Sequence, residues 1–370
     1  MKKILWTLAT LAMLLPTASF AQNSWLKAPG NAQGSEDAGA AQNNNAVDDP
    51  SKVLPEDVEK RFKAVRDDPD PDQLVRDAHY WVSNENAQYV WYPYIKDLGG
   101  VMSGVGTDQV YLLAGWMNAS IVIPMDFDKM IRNLHLAYGA AFLESENIEE
   151  FRTYWKKENE SKMKAAVDKH FPDDAAVIMK AWRSGVREVN GRFNRLVKKY
   201  SGGKAKEGEV IVSIPTFITD ETQYNRIRQL WQNHRVFPVC GDLTGDKAML
   251  DIAKALKDSN LEMRVLYPSN AEHYFEYGPS YRRNIIEMPF TDNSLILRTR
   301  QMRSLGVAEE GDYHYNMQSG ENFKLWLKTT NIKDQHTMLR KRSKTETTGL
   351  SILDYRPEPS KNAPPIAPMP

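Results

Sequence analysis

The sequence predicts an α/β protein whose core is an open, doubly wound, mostly parallel sheet carrying a helical insertion. Three observations lead there. Between about 52 and 332, short apolar runs bounded by Gly, Pro, Asn or Asp alternate with stretches of helical period. A pair of glycines follows the first run, and acids end the second and third. Sheet strands buried on both faces read as continuous apolar runs, and helices between them cover those faces.

Taken in order, the strand-like runs are Gly100 to Ser103, Ser120 to Met125, Val236 to Val239, Glu262 to Tyr267 and Ser294 to Arg298. The helix-like stretches carry apolar residues at three and four spacing. Asp128 to Phe142 has Met130, Ile131, Leu134, Ala137, Tyr138 and Ala141, and Lys247 to Lys257 has Met249, Leu250, Ile252, Ala253 and Leu256. Residues 146–200 interrupt the alternation. They are charged, helical in pattern and without a strand signal, so they read as a helical insertion and a candidate lid.

The ends of the chain read differently. Lys2 and Lys3 precede the apolar run Ile4 to Leu15, then Pro16 and Ser19-Phe20-Ala21, the pattern of a cleavable signal peptide over 1–21. The run is shorter than the ~18–20 residues a spanning helix needs, so a periplasmic or secreted protein without a transmembrane segment is expected after cleavage. Residues 22–51 are rich in Ala, Gly, Asn, Gln and Asp and read as a flexible linker. Residues 333–370 read as a disordered tail. It is basic at Arg340, Lys341, Arg342 and Lys344, then rich in proline, and it is the segment on which a protein partner could dock.

Composition excludes other classes. With 370 residues, 41% hydrophobic and 26% charged, the chain can bury a sizeable core. Lys plus Arg equals Asp plus Glu at 48 each, so no global field holds a polyanion and nucleic acid is not expected as a partner. The single cysteine, Cys240, excludes an internal disulfide and a multi-cysteine zinc cage, and it reads as core packing. The seven histidines stand in no metal-ligand spacing, so no metal is expected.

The candidate site gathers at the strand ends, where doubly wound sheets bind small molecules. Gly104 and Gly106 let the chain turn sharply against a ligand ahead of a helix beginning near Gln109, and Asp126 ends the next run twenty residues after Gly106. Asp108 is read as selecting against phosphate. A carboxylate about 4 Å from a phosphate is repelled by roughly 4 kcal/mol at an effective dielectric near 20, more than the ~1.5–3 kcal/mol a charged hydrogen bond returns. A ligand with an ammonium or sulfonium is tolerated there, although Asp108 serves equally as a helix cap. Asp242 ends the third run, and Tyr267, Ser269 and Asn270 end the fourth, followed by His273. Asn84-Glu85-Asn86 fits either a segment closing over the pocket or an exposed helix end, and Tyr313-His314-Tyr315 reads as packing.

This order resembles class I S-adenosylmethionine-dependent methyltransferases. More closely, Ser83-Asn84-Glu85-Asn86, Gly104-Val105-Gly106-Thr107-Asp108-Gln109, Val239-Cys240-Gly241-Asp242-Leu243-Thr244-Gly245 and Tyr267-Pro268-Ser269-Asn270-Ala271-Glu272-His273-Tyr274 resemble a bacterial family of largely uncharacterised exported proteins with a Rossmann-like, methyltransferase-like fold. The resemblance covers roughly 72–300. It implies S-adenosylmethionine as cofactor, contacted by Gly104, Gly106, Asp126 and Asp242, with Asn270 near the reaction centre. The glycine loop lacks a third glycine, and Tyr267-Pro268-Ser269-Asn270 is not the motif of amino-group methylators. Two functions are therefore expected as alternatives. One is a methyltransferase for an unidentified acceptor, with His273 and Tyr267 as candidate bases. The other is a noncatalytic ligand- or partner-binding protein reusing the fold; export favours it, because S-adenosylmethionine is made in the cytoplasm.

Overall fold

The computed structural model describes residues 47–202, 210–308, 311, 313–361 and 365–370. The expected signal peptide and residues 22–46 of the expected linker lie outside the described residues. The chain forms one eight-stranded mixed sheet flanked by helices. In chain order the elements are α1 (Glu56–Lys63), α2 (Tyr92–Ile95), β1 (Val101–Val105), α3 (Asp108–Met117), β2 (Ile121–Asp126) and α4 (Lys129–Glu144). The insertion supplies α5 (Ile148–Thr153), α6 (Glu160–His170) and α7 (Ala175–Tyr200), followed by α8 (Glu221–Gln232). Then come β3 (Val239–Cys240), α9 (Ala248–Asp258), β4 (Met263–Ser269), α10 (Pro279–Glu287), β5 (Leu295–Gln301), β6 (Tyr313–Ser319), α11 (Gly320–Thr329), α12 (Gln335–Leu339), β7 (Ser343–Lys344) and β8 (Leu350–Leu353).

The strand order is β3-β2-β1-β4-β5-β6-β8-β7. β1 to β5 run parallel, β6 is antiparallel to β5, β8 is parallel to β6, and β7 closes the edge antiparallel to β8. The period-2 alternation of strand side chains assigns the two faces. Met102, Val122, Val265 and Leu297 join one apolar cluster with α3, α4 and the insertion, while Val101, Ile121, Met263 and Ile296 join another with α1, α9 and α10. The chain therefore leaves β1 towards β2 on one face and leaves β3 towards β4 on the other. The direction of winding reverses between β1 and β4, which opens a crevice at their carboxyl ends.

The insertion is helical, as its pattern requires, but it does not form the lid. Its aromatic side packs on α4, with Phe142 stacked on Phe151 at 4.3 Å between centroids and Tyr138 tilted on Trp155 at 4.3 Å. Burial of several rings of this size is its own sufficient driving force.

Two boundaries differ from the sequence reading. Residues 47–51 of the expected linker lie against the body: Val47 is buried, and the guanidinium of the buried Arg235 donates to the carbonyls of Val47 at 2.7 Å and Lys52 at 2.8 Å. The expected disordered tail, 333–370, contains α12, β7 and β8, and Leu350, Ile352 and Leu353 are buried. The run Leu350 to Leu353 is too short to announce a strand between polar neighbours, and its partner β6 is disguised by polar residues. Those residues are buried and hydrogen-bond to one another. His314 Nε2 meets Ser351 Oγ at 2.7 Å, and Asn316 Nδ2 donates to Ser351 Oγ at 3.1 Å. Beyond the sheet, Pro368 accepts a hydrogen bond from Arg283 through its carbonyl at 3.0 Å.

Because β8 covers one edge of β6, a chain ending at Ile332 exposes unpaired backbone and the polar face of β6. Such a truncation is expected to lose the cooperative thermal transition of the full chain, followed by circular dichroism; an unchanged melt would show that β7 and β8 are dispensable.

Candidate ligand-binding site

The crevice between β1 and β4 holds a cavity of about 100 Å³. Its floor is the sheet edge, with Val105, Gly106, Asp126, Ser269 and Asn270, and its roof is the segment 74–84, with Val75, Tyr80 and Asn84 among its contributors. Tyr274 stands at the mouth, half exposed like Tyr80. The cover is thus the chain that precedes the sheet.

Gly106 turns the chain with φ +105°, a region that favours glycine, and a side chain there would strike Gln109. The turn is held from beneath by His135. Its Nε2 lies 2.7 Å from the carbonyl of Gly106 and its Nδ1 2.9 Å from the hydroxyl of Tyr111. Burial pushes His135 down to about 4, so the ring is neutral at ordinary pH. Nε2–H then donates to Gly106, and Nδ1 accepts from Tyr111. The amide of Thr107 donates to Oε1 of Gln109 at 3.0 Å, so the start of α3 is partly occupied by its own side chain.

Asp108 does not face the cavity, which corrects its expected role in selecting the ligand. It is fully buried and pairs with Arg192 of α7, Nε to Oδ2 at 2.8 Å, while its Oδ1 accepts from the amide of Ser83 at 3.0 Å. With its charge compensated and its oxygens occupied, it neither repels phosphate nor attracts an ammonium in the cleft. Arg192 goes on to donate to Asn86 Oδ1 at 3.2 Å and to the carbonyl of Glu85 at 3.3 Å.

Glu85 follows as the second anchor. Its carboxylate is wholly buried and accepts hydrogen bonds from the hydroxyls of Tyr267, of Ser269 at 2.6 Å and of Thr299 at 2.6 Å. Burial raises its pKa, and the three hydroxyl donors oppose that rise. Tyr267 is therefore no candidate base: it is fully buried, it donates to Glu85, and desolvation drives its own pKa well up.

The remaining expected residues divide. Asp126 lines the cavity, 8% exposed, with Oδ1 accepting from the amide of Asp128 at 3.0 Å. Burial pushes its carboxyl up to about 7. Asp128 caps α4 by accepting from the amide of Met130 at 2.9 Å and meets Nδ1 of His79 at 2.6 Å. Asn270 also lines the cavity and donates to the hydroxyl of Tyr313 at 3.1 Å. Gly104 sits inside β1, where an added Cβ would come within 3.2 Å of the Tyr267 ring. Asp242 is folded into a turn, accepting from the amide of Thr244 at 2.7 Å, and is not part of the cavity wall. Nor is His273, whose Nε2 accepts from the amide of Gln301 at 3.3 Å and which burial lowers to about 4. The structure thus brings together Gly106, Asp126 and Asn270, and leaves Gly104, Asp108, Asp242, Tyr267 and His273 outside the wall.

Sequence reasoning missed the network that shapes the cleft. Arg192 carried a legible signal, because it falls three residues after Val189 and four before Leu196 on the apolar side of α7. Glu85 carried a partial one, as part of Asn84-Glu85-Asn86, which fits a segment closing over the pocket, but not its partners Tyr267, Ser269 and Thr299; His135 and Tyr111 carried none. Cys240 is buried, with burial pushing its thiol up to about 12, and plays no part in the cavity. Among the described residues, no cluster of three or more His, Cys, Asp or Glu side chains could hold a metal ion, and no helix is long and apolar enough to cross a membrane.

The chain belongs to a family described as a domain of unknown function (DUF7790), whose model matches residues 80–354, from the roof of the cavity to just past β8. No curated protein matches the chain.

Two outcomes follow from this geometry. Glu85→Ala leaves three buried hydroxyls without their acceptor and is expected to lower unfolding stability by about 3 kcal/mol in denaturant titration, with Glu85→Gln costing less. Asp126 has a folded pKa of about 7, above its ordinary 3.8, so the fold favours its protonated form. That contribution is full below the ordinary value and is lost as pH rises towards 7. Asp126→Asn is therefore expected to gain stability relative to the parent between pH 5 and pH 8, by about 2–3 kcal/mol in paired urea titrations.

Proposed function

We propose that this protein binds a small molecule in the cleft between β1 and β4 and performs no group transfer there, a ligand-binding protein on a methyltransferase-like scaffold. Support for the scaffold is the order β3-β2-β1-β4-β5, which a doubly wound nucleotide-type fold shares, together with the glycine turn after β1 and the acid at the end of β2. These are the positions through which the chain resembles S-adenosylmethionine-dependent methyltransferases, and S-adenosylmethionine is the ligand that the resemblance implies.

The observation carrying the noncatalytic reading is the engagement of both candidate bases. Tyr267 is spent on Glu85 and His273 on the amide of Gln301, and neither lines the cavity. A methyl acceptor beside Asn270 would find no base among the groups expected to serve it. The methyltransferase reading keeps one argument, that Asp126 and Asn270 share a single cavity and so could hold a cofactor next to an acceptor.

Size adds a requirement. Water in bulk occupies about 30 Å³ per molecule, so about 100 Å³ holds a few waters and no nucleoside. An adenosyl ligand therefore extends beyond that volume, either out through the mouth at Tyr80 and Tyr274 or with displacement of residues 74–84. Arg76 and Asp77 within that segment stand at φ 57° and 53°, a left-handed conformation costing about 1–2 kcal/mol per residue.

Calorimetry of the full chain with S-adenosylmethionine and with S-adenosylhomocysteine tests this. The expected result is binding that Asp126→Ala abolishes, with no conversion of the first ligand to the second beyond that in cell extract alone. Absence of heat and of any thermal shift at millimolar ligand would remove S-adenosylmethionine from the account, and accumulation of S-adenosylhomocysteine above the extract-only control would make the protein an enzyme.

A further inference from the structure

We infer that the group the cleft accommodates is a small organic cation, a methylated or protonated amine of about five heavy atoms, seated on Asp126 beneath a tyrosine rim. This deepens the ligand-binding reading and rests on it.

The first argument is the distribution of charge. Six carboxylates are buried among the described residues: Asp68, Glu85, Asp108, Asp126, Asp128 and Glu272. Two of the six pair with buried arginines, and Asp128, Glu85 and Asp68 are met by a histidine, by hydroxyls and by backbone amides respectively. Asp108 pairs with Arg192, and Glu272 lies 3.2 Å from Arg298 and accepts from Tyr277 and Tyr281 at 2.7 Å each. Asp128 pairs with His79, Glu85 takes three hydroxyls, and Asp68 takes the amides of Asp242 and Lys247 at 3.0 Å each. Asp126, like Asp68, accepts only from backbone amides, but unlike Asp68 it lines the open cavity. A buried carboxylate so placed is costly until a cation reaches it. Asp128, which also lines the cavity, meets His79 at 2.6 Å, and Arg76 acts on the Tyr274 hydroxyl at the mouth.

The second argument is the lining. Tyr80 and Tyr274, 39% and 50% exposed, flank the entrance, and Phe127 and Ile131 add apolar wall. Aromatic faces attract ammonium and sulfonium groups and have no comparable attraction for anions. The third argument is volume. A cavity of about 150 Å³ takes a six-carbon ring, so the present one of about 100 Å³ suits roughly five heavy atoms.

The test compares tetramethylammonium with tert-butanol, a neutral molecule of the same size, on the full chain at constant ionic strength and pH 8, by thermal shift and by calorimetry. Tetramethylammonium is expected to raise the melting temperature saturably and tert-butanol to leave it unchanged. Asp126→Asn is expected to weaken the cation at least tenfold. Tyr274→Ala, a change at an exposed side chain that spares the fold, is expected to weaken it about threefold or more. If tert-butanol or S-adenosylmethionine binds and tetramethylammonium does not, the cation assignment is overturned while the ligand-binding cleft stands. If none of the three binds, the cleft reading itself falls.

Discussion

The cleft depends on one buried ion pair, Asp108 with Arg192. Its two members come from distant parts of the chain, the first turn of the helix after the glycine loop and the long helix of the insertion. Taking both charges out of water costs several kcal/mol each, and the attraction repays that only where geometry is good and the spare donors and acceptors are filled. Here they are filled by a third segment: the amide of Ser83 on Asp108, and the side chain of Asn86 and carbonyl of Glu85 on Arg192. The pair therefore fixes the covering segment as well as the insertion. Glu85, delivered by that arrangement, reaches the hydroxyls at the ends of β4 and β5 and completes the inner wall of the crevice.

Much of the sheet was legible in the sequence and little of this network was. β1, β2, β4 and β5 overlap the apolar runs read from composition alone, and α4 and α9 overlap the helical periods, because continuous burial and amphipathic spacing are local properties. β6 and β8 escaped because their burial depends on each other: Asn316, His314 and Ser351 are polar residues that become core residues once paired. The insertion was recognised as helical, but its role was not. Only the partner of Arg192, more than eighty residues earlier, turns an arginine on an apolar stripe from an anomaly into the anchor of the site.

For the site the same distinction holds. Gly106, Asp126 and Asn270 lie at strand ends, and strand ends are readable, so they meet in one cavity. Asp108 was misplaced because a sequence gives the position of a carboxylate and not its partner. The carboxylate that lines the cavity is instead Asp126, which burial raises to about 7. The two expected bases are absorbed into structure: Tyr267 donates to Glu85, and His273 accepts from the amide of Gln301.

Amide hydrogen exchange in Arg192→Met tests the central claim most directly, because it reads the covering segment and the sheet separately in one sample. If the ion pair holds the cover, the amides of Ser83, Glu85 and Ala87 exchange at least about 100-fold faster than in the parent, while those of β1 and β4 keep their protection. Unchanged exchange at Ser83, or a uniform acceleration over the whole sheet, would contradict it.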